Sequence, residues 1–303
     1  MQLHILFAAT FLLAAASTQS GAASPTKQAP DLGPTRTTES GQSYHEIAAE
    51  ASGDRTKLWV YLPKDAKPAS SPCVVIAPAG TRMFHGLGLA AGDQDEHTPW
   101  VQAGFLVVAY EIVSRFDEGM PQAKVAENIQ AFVAAKSGIE NGKAAVSFAA
   151  ALPQVDAKRI YAAGHSSAAT LALQLTASDK RIAGVVAFAP VVRLGEHLGK
   201  ELQKALNTIV KGSADKILKL SPHELTAKLR RPLFLFVAKD DDVVSTNQLA
   251  TFATKLRTRN KRVLFQQAAS GGHYQPMIET GIASAIDWIR GGMKAKPAPD
   301  AKK

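Results

Sequence analysis

The chain alternates short apolar runs with segments of helical periodicity. "CVVIAP" (73–78) and "FLVVAY" (105–110) are apolar without interruption, as strands buried on both faces are. "KLWVYLP" (57–63) alternates like a strand and ends at Pro63. "PQAKVAENIQAFVAAK" (121–136) opens on a proline suited to the first helical position, and Val125, Ile129, Phe132 and Val133 recur at helical spacing. A strand "RIYAA" (159–163) then turns at Gly164 into a helix that runs to about Thr176. Further strands are predicted at "AGVVAFAP" (183–190), "LFLFVA" (233–238) and "RVLFQQ" (262–267). Ser245 and Gln248 read as a capping box ahead of Leu249, Phe252, Ala253 and Leu256. A last helix starts at Pro276, carries Ile278, Ile282, Ile286 and Ile289 on one face, and stops at Gly291-Gly292.

Alternating strands and helices predict an α/β fold, a mostly parallel central sheet with helices on both faces. Residues 191–231 interrupt the alternation with a helical pattern. An insertion after a strand lies on the side where such sheets bind ligands, so it is expected to form a small helical cap. Residues 44–292 read as one domain. Residues 24–43, rich in Pro, Gly, Ser and Thr, read as a linker, and 293–303 as a disordered lysine-rich tail.

The apolar stretch Ile5 to Ala16 is too short to span a bilayer and is followed by small residues. Residues 1–23 are therefore expected to be a cleaved secretory signal, which leaves a secreted or periplasmic mature protein without a membrane span. The formal net charge is +9 over 303 residues. The tail supplies part of it, and the rest is spread along the body with no run of like charge, which argues against a nucleic-acid partner. Cys73 is the one cysteine, so no intramolecular disulfide and no cysteine metal site can form. No HExxH, P-loop or helix-opening GxGxxG motif is present, and neither a metal nor a cofactor is expected. "DQDEH" (93–97) lacks the glycine and distal Glu of a calcium loop and reads as a solvated loop.

In a parallel sheet, chemistry gathers at the C-terminal ends of strands. Gly164-His165-Ser166-Ser167-Ala168 follows one strand and fits a G-x-S-x-G turn except for Ala168; a helix-capping serine is the plainer reading. Asp240-Asp241-Asp242 follows the next-to-last strand, where a solvated turn would serve as well. Gly271-Gly272-His273 follows the last one. A serine hydroxyl needs a base, and the base needs an orienting group. Ser166, an aspartate and His273 in that chain order match the arrangement of α/β-hydrolases. Glu111 occupies another strand end, and His85, His97 and His165 read as polar packing residues.

The chain resembles the α/β-hydrolases of the prolyl oligopeptidase-like and dienelactone hydrolase-like group. "VDAKRIYAAGHSSAA" (155–169) is similar to that group's strand and nucleophile turn, "SPHELTAKLRRPLFLFVAKDDDVV" (221–244) to its acid loop, and "SGGHY" (270–274) to its histidine loop. The resemblance implies an α/β-hydrolase fold and a triad of Ser166, Asp241 and His273, with Asp242 the second choice of acid. It implies an oxyanion hole from the amide of Ser167 and a second donor in "APAGTRMF" (77–84), assigned to Thr81 with Gly80 as alternative. The expected activity is serine hydrolysis of small carboxylic esters. A peptidase acting on short peptides is the second reading, although no room exists for the propeller such peptidases carry. An inactive binding protein is the third. Oligomeric state is left open.

Overall fold

The computed structural model describes residues 29–51, 54–80, 88–114 and 119–294. The expected signal, residues 1–23, lies outside these residues, as do Thr81, His85 and most of the expected tail. Among the described residues, nine strands form one sheet. They are β1 (Thr35–Thr37), β2 (Ser43–Ala51), β3 (Asp54–Tyr61), β4 (Ser71–Ile76), β5 (Leu106–Tyr110), β6 (Val155–His165), β7 (Ile182–Phe188), β8 (Leu233–Ala238) and β9 (Val263–Ala268). Their order is β1-β2-β3-β5-β4-β6-β7-β8-β9. The first three strands and β5 pair antiparallel. From β5 to β9 every pairing is parallel.

The uninterrupted apolar runs follow from burial on both faces. Cys73 and Val75, Leu106 and Val108, Ile160 and Ala162, and Leu233, Leu235 and Val237 face one core. Val74, Val107, Tyr161, Phe234 and Phe236 face the other. A slip of one residue in β8 would exchange its phenylalanines with smaller side chains, so the packing holds the register.

The first core is covered by α2 (Gln122–Ala134), α3 (Ile139–Ala151), α4 (Ser166–Ser178) and α7 (Thr246–Arg257). The second is covered by α1 (Gln94–Gln102) and α8 (Ile282–Arg290), with Trp100, Ile282, Ile286, Trp288 and Ile289 buried. Labels α5 (Leu194–Ile209) and α6 (Ser213–Leu218) belong to the insertion after β7. Leu194, Leu198, Leu206 and Ile217 join the first core, so the insertion continues the main core along its flank. Gln174 of α4 donates to the Leu220 carbonyl at 2.9 Å. Among the described residues no helix is long and apolar enough to cross a membrane.

Several elements differ from the sequence pattern. Within the expected linker, Thr35–Thr37 pairs with β2 as an edge strand, where β-branched threonines suit an extended chain. Pro99 lies inside α1, and a proline in a helix interior is the signal that hid it. "DQDEH" is the start of that helix, and its Glu96 and His97 are buried. Helix α3 begins at Gly138 in the left-handed region and contains Gly142, whose added Cβ would lie 2.8 Å from Leu175. At α7 the Ser245 hydroxyl accepts from the Gln248 amide, but the Gln248 side chain donates to Glu196 instead of closing the box.

Candidate active site

Strand β6 passes into α4 without a loop, and Ser166 stands at the junction. Its φ is 53°, the left-handed region that a residue with a Cβ enters at a cost of about 1–3 kcal/mol. Gly164 makes the turn feasible. A Cβ there would lie 2.5 Å from the carbonyl carbon of Ala168, so strand and helix touch where any side chain would stand. Ala168 is buried at this contact, which explains why a methyl is tolerated at the last position of the pentapeptide.

His273 ends the loop that follows β9. Gly271 and Gly272 have φ of 121° and 73°, and both amides donate to Asp240, at 3.0 Å each, to Oδ2 and Oδ1 respectively. These two N–H groups hold the exposed Asp240 carboxyl below the usual carboxylate range. The next residue, Asp241, places Oδ2 at 2.8 Å from His273 Nδ1. Its other oxygen accepts from the amides of Val243 and Val244 at 3.0 Å each. The Asp241 side chain is 1% exposed and that of His273 18%. Burial by itself would raise the Asp241 pKa; the His273 contact and the two amides outweigh it and hold the carboxyl low. An ionised Asp241 fixes the His273 proton on Nδ1 and leaves Nε2 as the acceptor nitrogen. Asp242 is exposed.

His165 links the serine to this loop. Its Nε2 is 2.9 Å from the His273 carbonyl oxygen, which can only accept, so Nε2 carries the proton. The rings of His165 and His273 stand 4.6 Å apart, and Tyr274 meets His165 edge-on at 5.3 Å. Burial first, then the neighbouring His273, push the His165 pKa down to about 4, so this ring is neutral near pH 7.

Ser167 has a role its sequence position did not suggest. Its hydroxyl oxygen accepts the Gly80 amide at 2.7 Å and so ties the segment after β4 to the start of α4. That hydrogen bond occupies the Gly80 N–H. Thr81 lies outside the described residues. Glu111 accepts the Leu89 amide at 2.9 Å and pairs with Lys57 at 3.4 Å, which makes it a brace for the chain entering α1. His97 is packed under the sheet, with Nδ1 3.3 Å from the Tyr61 hydroxyl.

The structure therefore brings Ser166, Asp241 and His273 to the C-terminal ends of β6, β8 and β9. It adds Asp240, His165 and the Ser167 hydroxyl, which sequence reasoning did not assign. For Asp240 a signal existed: a paired glycine offers two adjacent amides, and an acid in a facing loop can take both.

A single nine-stranded, mostly parallel sheet with these groups at its strand ends defines an α/β-hydrolase. The chain matches the dienelactone hydrolase family over residues 58–273 and belongs to that family. No curated protein sequence matches the chain. Among solved structures, an acylaminoacyl peptidase in complex with Z-Gly-Gly-Phe-chloromethyl ketone is similar with a TM-score of 0.64 and 14% identity. The match covers 85% of this chain and 43% of that one, so this chain spans less than half the peptidase. The acetyl xylan esterase from Paenibacillus sp. R4 is similar with a TM-score of 0.62 and 15% identity, over 85% of this chain and 89% of that chain. A thermophilic esterase from the Planctomycetes species Thermogutta terrifontis is similar with a TM-score of 0.58 and 19% identity, over 84% and 97%. At these identities the likeness concerns the fold.

Proposed function

We propose that this protein is an exported serine hydrolase that cleaves small carboxylic esters through an acyl-enzyme. The observation that carries the reading is the Asp241–His273 contact of 2.8 Å, beside a Ser166 held at positive φ on the neighbouring turn. Ser166 Oγ attacks the ester carbonyl carbon while His273 Nε2 takes its proton. His273 returns that proton to the leaving alkoxide, and the alcohol departs. Water, deprotonated by His273, then attacks the acyl-enzyme and releases the acid and free Ser166. Asp241 keeps the imidazole in the required tautomer and balances its charge when it is protonated.

The oxyanion is stabilised by backbone N–H groups, each worth about 3–4 kcal/mol of transition-state stabilisation. The Ser167 amide, at the first turn of α4, is one. With the Gly80 amide donated to Ser167, the second falls to Thr81. Esters are the first reading because two of the similar structures are esterases, and a peptidase is the second because one of them is an acylaminoacyl peptidase.

Purified protein tests this. A fluorophosphonate should label it, and Ser166→Ala should abolish the label. Nitrophenyl esters of short acids should be cleaved, and aminoacyl amides should not. An unlabelled wild-type protein would end the serine mechanism; faster cleavage of amides than of esters would reassign it as a peptidase.

A further inference from the structure

The charge that looked dispersed along the chain is gathered by the fold at one end of the sheet. Arg230 and Arg231 lie just before β8. Arg257, Arg259, Lys261 and Arg262 join α7 to β9. Lys180 and Lys228 border them, and all eight are exposed.

The segments are physically joined. The Arg231 guanidinium donates to the Lys180 carbonyl, and that of Arg262 to the Arg230 carbonyl at 3.2 Å. Asn260 Nδ2 donates to the Arg231 carbonyl at 2.7 Å, and the Leu233 amide to the Arg262 carbonyl at 2.9 Å. None of the eight forms an ion pair among the described residues. The nearby Asp179 is taken by Arg181. These are eight of the chain's 35 basic residues.

We propose that this end of the molecule docks on an anionic phospholipid bilayer. Eight unpaired cations from three segments present a broad face to a broad field, and each Lys or Arg at such a surface strengthens partitioning about five-fold. Among the described residues the exposed large hydrophobic side chains, Val243 and Tyr274, lie beside the candidate active site and not here. The contact is therefore electrostatic and without insertion, and it offers no aromatic platform for stacking bases. The cations sit at the N-terminal ends of β8 and β9, whereas Asp241 and His273 follow the C-terminal ends, about 20 Å away at roughly 3.3 Å per residue. A docked molecule keeps its candidate active site turned to solvent.

The test is sedimentation with phosphatidylcholine vesicles with and without phosphatidylglycerol. Wild-type protein should bind only the anionic vesicles and should be released near 1 M salt, where the screening length falls to about 3 Å. The quadruple variant Lys180→Gln, Lys228→Gln, Arg259→Gln, Lys261→Gln alters no hydrogen bond described above. It should bind several hundred-fold more weakly, at about five-fold per charge, with unchanged ester hydrolysis and thermal unfolding. A control variant, Lys200→Gln, Lys204→Gln, Lys211→Gln, Lys216→Gln, removes the same charge from the insertion after β7 and should bind as wild type. Equal binding to neutral vesicles, or equal loss in the control, overturns the proposal. Tighter binding to duplex DNA than to anionic vesicles also overturns it, in favour of a nucleic-acid partner. Because vesicle binding is read without catalysis, its failure leaves the ester-hydrolase reading standing.

Discussion

Asp241→Asn is the sharpest test of the catalytic geometry, because the substitution changes one atom and the surroundings dictate where that atom goes. Asp241 Oδ1 accepts two amides, those of Val243 and Val244, at 3.0 Å each. An asparagine must keep its single oxygen there, since turning the NH2 group toward two N–H donors would leave three donors facing one another. The NH2 group is therefore driven to the other position, 2.8 Å from His273 Nδ1. A donor at that distance forces Nδ1 to accept, so the imidazole proton moves to Nε2. The nitrogen that should take the serine proton then already carries one. Loss of the correct tautomer in such triads costs about 10⁴ in kcat, or roughly 5.4 kcal/mol at 1.36 kcal/mol per decade. Shape and volume are conserved and the site is 1% exposed, so the fold should persist. The assay is steady-state hydrolysis of a nitrophenyl ester, with thermal unfolding as the check on folding. A folded Asp241→Asn protein that keeps a tenth of wild-type kcat would refute the tautomer argument and with it the role of Asp241.

Three further outcomes follow from particular contacts. Ser166→Gly removes the Cβ at φ 53° and should raise stability by about 1 kcal/mol, or roughly 2–4 °C in Tm, while abolishing turnover; an unchanged or lower Tm would mean the turn is not strained. Ser167→Ala leaves the Gly80 amide without its acceptor and should lower kcat about ten-fold with little change in KM; unaltered kcat would show that this hydrogen bond does not position the oxyanion segment. Burial first, then Asp93 and Asp95, push the Glu96 carboxyl from 4.5 up to about 8. Between those values the unfolded chain has released the proton that the folded chain keeps, so wild-type stability should fall as pH rises through that window. Glu96→Gln should lack that slope and gain up to about 5 kcal/mol over wild type above pH ~8, at 1.36 kcal/mol per pH unit; identical pH–stability curves would refute it.

The sheet was legible because β4, β5, β7 and β8 are apolar on both faces, a pattern with few competing readings. What escaped was structure whose signal is contextual. Helix α1 was hidden by Pro99, and α3 by Gly138 and Gly142, whose value lies in close packing against Leu171, Leu175 and Ile112. Strand β1 depends on a partner, β2, and on no apolar face of its own. At the site, Ser166 and His273 could be proposed from residue type and chain order, and Asp241, among three adjacent acids, only from the family resemblance. The contacts of His165 and Ser167 could not, because each reaches a backbone group in another segment; for Asp240 the Gly271-Gly272 pair was the one signal. Backbone groups leave no mark in a sequence. The basic face was missed for the same reason: Lys180, Arg231 and Arg262 are far apart in the chain and meet only in the fold.

These three unforeseen contacts share a design. Each comes from a residue adjacent in the chain to a triad candidate, and each holds a segment far from its own in the chain. His165 precedes Ser166 and holds the His273 carbonyl; Asp240 precedes Asp241 and holds the amides of Gly271 and Gly272. Two of them thus grip one short loop, at its two ends. Two consecutive glycines at positive φ give that loop large freedom when it is released. With one grip lost, the other and the Asp241 contact still locate the imidazole, so His165→Phe or Asp240→Ala alone should lower kcat by less than about ten-fold. With both lost, only the Asp241 contact remains, on a loop free to swing. Groups in one network couple, so the double variant should fall at least about three-fold further than the product of the single effects. Phenylalanine keeps the ring packing against Tyr274 and His273, so the effect of His165→Phe reports the hydrogen bond and not a cavity. Steady-state kcat for the four proteins of the cycle, with KM as the control for substrate binding, decides it. Strictly multiplicative losses would mean that the two residues act on separate features, and that the loop is not held by a pair of grips.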